Sequence, residues 1–314
     1  MAEIKLFYHK DGVVRVNRSL DFLKSNPIQN FLWIDLNDVD EEVENELEDF
    51  LKIYIQEEEE MIEIEMSSRY IETNDTLVVN SNFLLSNFET DPVSFILKNN
   101  ILVTVRSEEL ISFHETVKKI SANPRNYPTG AHVLVALLET RVEYDADMIE
   151  NMTQKITQLS NSLSLQEADE ELLSEIKNLQ EKTMMLRENI IDKQRVVSSM
   201  LRSEFMAVEL QPKLTMIIKD INSLVEHIKF NFDRLDYLQD TFLGYVNIEQ
   251  NKIIKIFTIV SVIFMPPTLI ASIYGMNFEI MPELDKKWGY PIALILMVFS
   301  SLFILLYFKK RKWL

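Results

Sequence analysis

Residues 256–278 read IFTIVSVIFMPPTLIASIYGMNF, and the first nineteen of them, 256–274, contain no charged side chain. A second uncharged stretch of nineteen residues, 290–308, follows after a 15-residue loop. About 20 apolar residues in a helix, at ~1.5 Å per residue, cross the ~30 Å hydrocarbon core of a bilayer. The sequence therefore predicts two transmembrane helices at this end of the chain. Two buried helices of a soluble protein are the less favoured alternative.

Basic residues flank both predicted spans on the same side. Lys252 and Lys255 flank the start of the first span, and the basic run 309–312 follows the second. The positive-inside rule places such flanks in the cytoplasm. We therefore expect both termini inside and the loop between the spans outside. Residues 1–10 are typical of neither a signal peptide nor an Arg-rich transit peptide.

The charge is divided unevenly along the chain. The formal net charge of the whole is −17, whereas residues 253–314 carry +4 and residues 1–252 carry −21. An acidic body repels phosphates, which disfavours a nucleic-acid partner, and it suits a protein that handles cations. The chain has no cysteine and only five scattered glycines, so thiolate chemistry and a phosphate-binding loop are excluded. We expect no enzyme, since no nucleophile–base pair can be named.

Residues 1–125 are predicted to form an acidic cytosolic domain of the α/β or α+β class. A hairpin signal, Lys10-Asp11-Gly12, separates the first two predicted strands. Acidic helices are predicted over 39–53 and 57–68. The predicted strands cover 4–7, 13–16, 31–36, 77–85, 93–97 and 101–105.

Residues 126–250 are predicted to form a helical bundle and a stalk helix. Helices are expected over 131–162 and 168–208, and Pro212 fits the first turn of another. From Leu214 to Tyr245 the chain has a 3,4 spacing with nine apolar positions in ten, and Asn231 is the polar member. This pattern is typical of a coiled-coil-like seam.

The stalk helix is expected to run unbroken from about 213 to 274, because no strong helix breaker separates Pro212 from the first span. The transmembrane domain is assigned to residues 251–314. It comprises a first span at about 253–274, an external loop at 275–289, a second span at about 290–308 and a basic cytosolic tail at 309–314.

The 3,4 rhythm continues into the first span as a polar stripe. Hydroxyl, Met and Asn side chains on an apolar helix indicate a surface that faces water, although small hydroxyl residues also join membrane helices. Two spans cannot enclose a pore alone, so a pore requires an oligomer. Neither span contains Asp, Glu or Arg, which disfavours a proton-coupled transporter. The stripe consists of Asn251, Ile254, Thr258, Ser261, Met265, Thr268 and Ser272.

The first span ends in Gly275-Met276-Asn277 within YGMNF, the loop contains MPEL at 281–284, and the basic tail ends in Trp-Leu. In these features, which cover roughly 247–314, the chain resembles the CorA family of magnesium and cobalt channels. The resemblance implies a funnel-shaped homopentamer in the lipid bilayer of a bacterial plasma (inner) membrane. It also implies electrophoretic influx of Mg²⁺, with Co²⁺ as an alternative substrate, and gating by cytosolic Mg²⁺.

The same resemblance assigns a selectivity filter to Gly275, Met276 and Asn277. A ring of Asn277 carbonyls would accept hydrogen bonds from the water shell of Mg²⁺, an ion that dehydrates reluctantly. The implied apolar gate consists of Ile254, Phe257 and Met265. The implied pore lining replaces Thr258 of the stripe by Phe257, and it comprises Asn251, Ile254, Phe257, Ser261, Met265, Thr268 and Ser272.

Acidic residues supply two further candidate sites. Glu279 and Glu283 in the loop would concentrate cations at the pore mouth, with ordinary solvation as an equal alternative. Residues 35–65 contain fifteen acids and one base, and Mg²⁺ between such faces in a ring would offset their repulsion. The candidate regulatory ligands are Asp220, Glu57 and Glu58.

Two other functions remain open from the sequence. One is a transporter of zinc or another divalent cation with the same architecture. The more remote one is a membrane-tethered coiled-coil scaffold, which would carry no ions and would tolerate substitution of Asn277.

Overall fold

The computed structural model describes residues 3–56, 60–61, 69–163, 170–277, 281–283 and 285–311. The chain divides into two compact units, Met1–Gln239 and Asp240–Leu314. They are named here the N-terminal unit and the C-terminal unit, and each is described by itself.

A mixed seven-stranded sheet forms in the described part of the N-terminal unit, with the order β2-β1-β3-β7-β6-β5-β4. The pair β3–β7 is parallel and every other neighbouring pair is antiparallel. Both strands of the parallel pair are buried along their whole length, which explains their nearly continuous apolar sequence. The strands are β1 Glu3–Lys10, β2 Val13–Asn17, β3 Phe31–Asn37, β4 Tyr70–Glu72, β5 Thr76–Leu84, β6 Thr90–Lys98 and β7 Ile101–Arg106.

The six predicted strands are confirmed, and β4 was missed because three residues are too few to show an alternation. Three shorter helices accompany the sheet: α1 Leu20–Lys24, α2 Glu41–Leu51 and α3 Ile111–Ala122. The α2 helix confirms the prediction over 39–53 and places Leu47 in the core. The α3 helix was not predicted. The predicted helix 57–68 lies largely outside the described residues.

Four longer helices follow: α4 Gly130–Leu163, α5 Glu170–Met200, α6 Gln211–Tyr274 and α7 Gly289–Lys310. The unbroken helix predicted into the first span is therefore confirmed as α6. The prediction that α5 extends to residue 208 is wrong. After Met200 the Ser203 hydroxyl accepts a hydrogen bond from Phe205 N at 3.1 Å, a local bond that competes with helix continuation.

The start of α4 sits directly on the turn between β6 and β7. Gly130 N donates to Asn100 O at 2.6 Å. A β-carbon at Gly130 would lie 2.3 Å from Leu102 N, which is a backbone atom that cannot move aside without disturbing the sheet. Only glycine therefore fits at this junction.

The predicted seam of α6 is buried within the N-terminal unit from Leu214 to Leu238, apart from the half-buried Leu224. Its polar member, Asn231, is 1% exposed. Asn231 Nδ2 donates to Thr153 Oγ1 of α4 at 2.8 Å. This bond satisfies a buried amide and joins the two helices at one level, while the role of Asn231 in fixing register stays a prediction.

Candidate functional site

One face of α6 contacts α7 within the C-terminal unit. Ile259 is buried, and Ile263, Pro266 and Ile270 are half-buried, at a spacing of three to four residues. Ser301 Oγ of α7 donates to Ile263 O at 3.3 Å. This face, named here the α7-facing side, leaves the opposite side of α6 uncovered in the chain.

The predicted pore lining lies on the side of α6 opposite the α7-facing side. At roughly 100° per residue, its members cluster about half a turn from Ile259 and Ile263. Phe257 and Thr258 lie at similar angles on either side of this cluster, and both are exposed. Every member is exposed in the chain: Asn251, Ile254, Phe257, Ser261, Met265, Thr268 and Ser272.

Two stripe hydroxyls donate their hydrogens within the helix. Thr258 Oγ1 donates to Ile254 O and Thr268 Oγ1 donates to Phe264 O, each at 2.8 Å. Each hydroxyl oxygen keeps a lone pair that can accept a hydrogen bond from water. Such oxygens can hold the water shell of a cation without binding the metal itself.

The predicted filter follows directly on the end of α6 at Tyr274. Gly275 N donates to Ala271 O at 2.9 Å, and Met276 N donates to Ile273 O at 3.3 Å. The backbone of Gly275 is outside the left-handed region, but a β-carbon there would approach Ala271 O at 3.0 Å. A side chain at position 275 would therefore require the Ala271 carbonyl to shift by a few tenths of an ångström. The side chain of Asn277 is exposed.

The loop after the filter packs its backbone onto the start of α7. A β-carbon at Gly289 would lie 2.1 Å from Glu283 O, and Lys286 N donates to that same oxygen at 3.3 Å. The Glu283 side chain is exposed, and Glu279 lies outside the described residues. Glycine at position 289 thus allows the Glu283 backbone to pack against the start of α7.

The candidate regulatory residues are not brought together in the described chain. Asp220 is exposed on α6, whereas Glu57 and Glu58 lie outside the described residues. The described part contains no group of three or more acidic or histidine side chains arranged to hold a metal ion.

Asp35 does not belong to the acidic surface that the sequence analysis drew from residues 35–65. It is 2% exposed, and its Oδ2 atom lies 2.9 Å from Arg106 Nη2. On α2, burial raises the pKa of Glu44, and the neighbouring Glu48 and Glu41 raise it further. Among the described residues, α2 therefore carries acids that repel one another.

A buried charge network in the N-terminal unit was missed by the sequence analysis. Arg141 Nη2 donates to Leu84 O at 2.7 Å and also binds Asp145. Lys193 Nζ donates to Asn82 O at 2.9 Å and lies 3.5 Å from Asp145 Oδ2. Burial lowers the pKa of Lys193 to about 8, and Asp145 partly opposes this effect. The network ties α4 and α5 to β5.

The fold and these surfaces define a class: a mixed α/β unit, a long helix and two C-terminal helices that are long and apolar enough to cross a membrane. The family model described as "CorA-like Mg2+ transporter protein" matches residues 29–310. The chain belongs to this family, as its GMN motif predicted.

Named relatives resemble the chain over nearly its whole length. "Magnesium transport protein CorA" of Wolinella succinogenes is 40% identical, with 99% of this chain and 100% of the relative covered. The protein of the same name from Escherichia coli K12 is 35% identical over 94% of this chain and 96% of its own length.

A solved structure shares the fold. The CorA magnesium transporter of Methanocaldococcus jannaschii matches with a TM-score of 0.83 at 20% identity, covering 99% of this chain and 98% of that one. The predicted fold class, a mixed α/β unit with a long helix and two C-terminal helices, is confirmed.

Proposed function

We propose that this chain is the subunit of a homopentameric magnesium channel in a bacterial inner membrane, with both termini in the cytoplasm. The observation that carries the proposal is the exposed polar stripe on α6, which lies opposite the α7-facing side and leads to Gly275, Met276 and Asn277. Membership of the CorA-like family and the names of its relatives support magnesium as the ion.

In this proposal five copies of α6 surround the pore, and each contributes one Asn277 to its mouth. Mg²⁺ loses its bound waters reluctantly, so the five amide oxygens bind the hydrated ion rather than the bare metal. An amide ring binds more weakly than a carboxylate ring, which lets the ion leave again. Glu283, and Glu279 with it, raise the cation concentration outside. Co²⁺, which is also divalent, is the proposed second substrate.

Ion entry needs no chemical energy source in this mechanism. A membrane potential of 100 mV contributes about 4.6 kcal/mol to the entry of a divalent cation, from ~2.3 kcal/mol per charge. The apolar side chains of Ile254, Phe257 and Met265 are exposed on the stripe. A ring of such groups can close a pore by excluding water, so we assign the gate to these three residues.

The decisive experiment measures ²⁸Mg²⁺ uptake by the full-length protein in liposomes. The wild type should carry Mg²⁺, and Asn277→Ala should reduce uptake about tenfold or more, because a lost hydrogen bond to the ion's water shell costs ~1.5 kcal/mol and each ~1.4 kcal/mol is tenfold. The matched control is Asn126→Ala, which changes an exposed asparagine of the N-terminal unit. Both variants should elute as oligomers of wild-type size.

The remaining functions are outcomes of the same experiment. Uptake of Zn²⁺ without Mg²⁺ would replace the proposal by a zinc transporter, and absence of any flux in the wild type would favour the scaffold. Wild-type uptake by Asn277→Ala would contradict the filter assignment.

We also propose that cytosolic Mg²⁺ regulates this channel by binding between acidic faces of neighbouring subunits. The support is the net charge of −21 on residues 1–252 and the raised pKa of Glu44, to which burial contributes most and the neighbouring Glu48 and Glu41 add. A divalent ion that binds the closed arrangement more tightly shifts the equilibrium by its differential affinity. Asp220, Glu57 and Glu58 remain the proposed individual ligands.

Limited proteolysis of the oligomer tests this regulation. Millimolar Mg²⁺ should slow cleavage within residues 30–110. The triple variant Glu41→Gln, Glu42→Gln, Glu44→Gln should show weaker protection. The matched control is the triple variant Glu171→Gln, Glu175→Gln, Glu181→Gln, which neutralises three exposed acids of α5. Cleavage that is indifferent to Mg²⁺ in the wild type would contradict regulation while leaving the channel proposal intact.

A further inference from the structure

Two consecutive prolines interrupt the hydrogen-bond ladder of α6. Pro266 and Pro267 lie inside the helix and have no N–H group, so the carbonyls of Val262 and Ile263 lose their donors four residues ahead. A carbonyl without a donor is costly in hydrocarbon, and hydroxyl side chains of neighbouring helices often supply the missing bond. The proline pair therefore leaves two carbonyls that the backbone of α6 cannot hydrogen-bond.

Ser301 of α7 donates a hydrogen bond to one of these two carbonyls. Its Oγ donates to Ile263 O at 3.3 Å, the carbonyl that Pro267 leaves without a donor. The adjacent Ser300 behaves differently, because its Oγ donates to Met297 O of its own helix at 2.8 Å. Both serines are half-buried, so the contrast lies in which carbonyl each one binds.

We propose that Ser301 is a positioning residue for ion conduction. By holding the carbonyl released by Pro267, Ser301 ties α7 to α6 within the proline segment. The same segment carries Met265 and Thr268 on the opposite, exposed side. Ser301 thus fixes the rotation that presents these two side chains to the pore without touching the ion. The inference rests on the proposed function.

Pro267 makes the inference testable, because the effect of losing Ser301 should depend on whether this proline is present. Pro267→Ala restores an N–H group four residues after Ile263, so the intrahelical bond can form again. Ser301 is then redundant at this carbonyl. Loss of Ser301 should therefore matter in the wild-type background and cease to matter beside Pro267→Ala.

The experiment is a double-mutant cycle in the full-length protein. It compares the wild type, Ser301→Ala, Pro267→Ala and the double variant, with Ser300→Ala as matched control and Ser301→Thr as the conservative rescue. The first readout is ²⁸Mg²⁺ uptake over a range of concentrations, which separates maximal rate from half-saturation. The second is the rate at which a water-soluble thiol reagent modifies a cysteine placed at Thr268 in the same backgrounds.

Ser301→Ala should lower the maximal uptake rate about fivefold, the order of one net hydrogen bond, with little change in half-saturation. It should also change the modification rate of the cysteine at 268 by a similar factor. Ser301→Thr and Ser300→Ala should match the wild type. In the Pro267→Ala background, Ser301→Ala should add no further change to either readout.

Two results would overturn the inference. One is an equal effect of Ser301→Ala with and without Pro267→Ala, and the other is unchanged thiol modification at position 268 in Ser301→Ala. The thiol readout needs no ion flux. A wild type that carries no Mg²⁺ but shows the expected cycle in thiol modification would therefore refute the proposed function, whereas the role of Ser301 in orienting position 268 of α6 would stand.

Discussion

The N-terminal and C-terminal units place their polar groups in opposite ways. The N-terminal unit buries charged side chains in pairs that join distant parts of the chain, such as Asp35 with Arg106. The C-terminal unit leaves apolar surface uncovered, with 6% of the most apolar 18-residue stretch of each candidate span buried. Four of its hydroxyls donate to helix carbonyls, those of Thr258, Thr268, Ser300 and Ser301. The proposed membrane location, with water around the N-terminal unit and hydrocarbon around the C-terminal one, accounts for this difference.

The comparison predicts that a glycine packed against the sheet of the N-terminal unit tolerates a side chain far less than a glycine on the uncovered part of α6 in the C-terminal unit. Gly130→Ala should destabilise the N-terminal unit by about 3 kcal/mol, because overpacking against fixed backbone is costly and the β-carbon would meet Leu102 N at 2.3 Å. Urea unfolding of the full chain in detergent, followed by circular dichroism, measures the change.

Gly244→Ala is the matched control in the C-terminal unit. Nothing lies within 4 Å of its β-carbon position, and glycine in a helix interior costs up to about 1 kcal/mol relative to alanine. This variant should therefore be as stable as the wild type or slightly more so. A neutral Gly130→Ala would show that the junction between α4 and the sheet can relax.

The same contrast explains what the sequence could predict. The strands were readable because apolar runs are bounded by turn residues such as Asn99-Asn100, and α6 was readable from its 3,4 spacing. The filter and the end of the first span rested on the GMN motif, since periodicity alone does not mark an ion site. Here local pattern and tertiary structure agree, as expected where one face of an element is buried.

Buried charges were not readable, because a charged residue carries the same letter whether it is solvated or paired. Asp35 was counted among surface acids, yet Arg106, 71 residues away, neutralises it. Lys193 is fully buried, although lysine is almost never fully buried unless it is paired. The Arg141–Asp145 pair, at i and i+4, was a local signal of this network. The role of Ser301 likewise depends on a carbonyl of another helix.

Cysteine accessibility sharpens the comparison within the C-terminal unit. The chain has no cysteine of its own, so single cysteines at Thr268, Leu269 and Ile270 give unambiguous labelling. Thr268 lies on the stripe and should react with a water-soluble thiol reagent at least about tenfold faster than Ile270, which is half-buried and shielded from water.

Leu269 separates exposure to water from exposure to lipid. It is 61% exposed in the chain, so a single chain in water would label at 269 as fast as at 268. A pore lined by the stripe predicts slow labelling at 269, because hydrocarbon excludes the charged reagent. Equal rates at all three positions would contradict the stripe.

The smallest effect concerns an exception to the pairing of buried charges. Asp91 is 3% exposed, and its Oδ2 atom has no hydrogen-bond partner among the described residues. Burial raises the pKa of Asp91 to about 6, although hydrogen bonds from the Glu108 and Ser107 backbone oppose this shift. A buried carboxylate with one unsatisfied oxygen should therefore destabilise the N-terminal unit at neutral pH.

The direction of the pH dependence follows from these pKa values. Between the unfolded pKa near 3.8 and the folded pKa near 6, the folded chain binds more protons, so the contribution of Asp91 to stability falls as pH rises. Above pH 6 the full cost is present.

Asp91→Asn removes the charge, so it should stabilise the chain by about 1–2 kcal/mol at pH 7.5 and have little effect near pH 4. The control Asp75→Asn changes an exposed carboxylate whose pKa is lowered by Lys98, and it should not stabilise at either pH. Urea unfolding at the two pH values decides the matter, and equal stability of Asp91→Asn and the wild type at pH 7.5 would mean that a water molecule already solvates Oδ2.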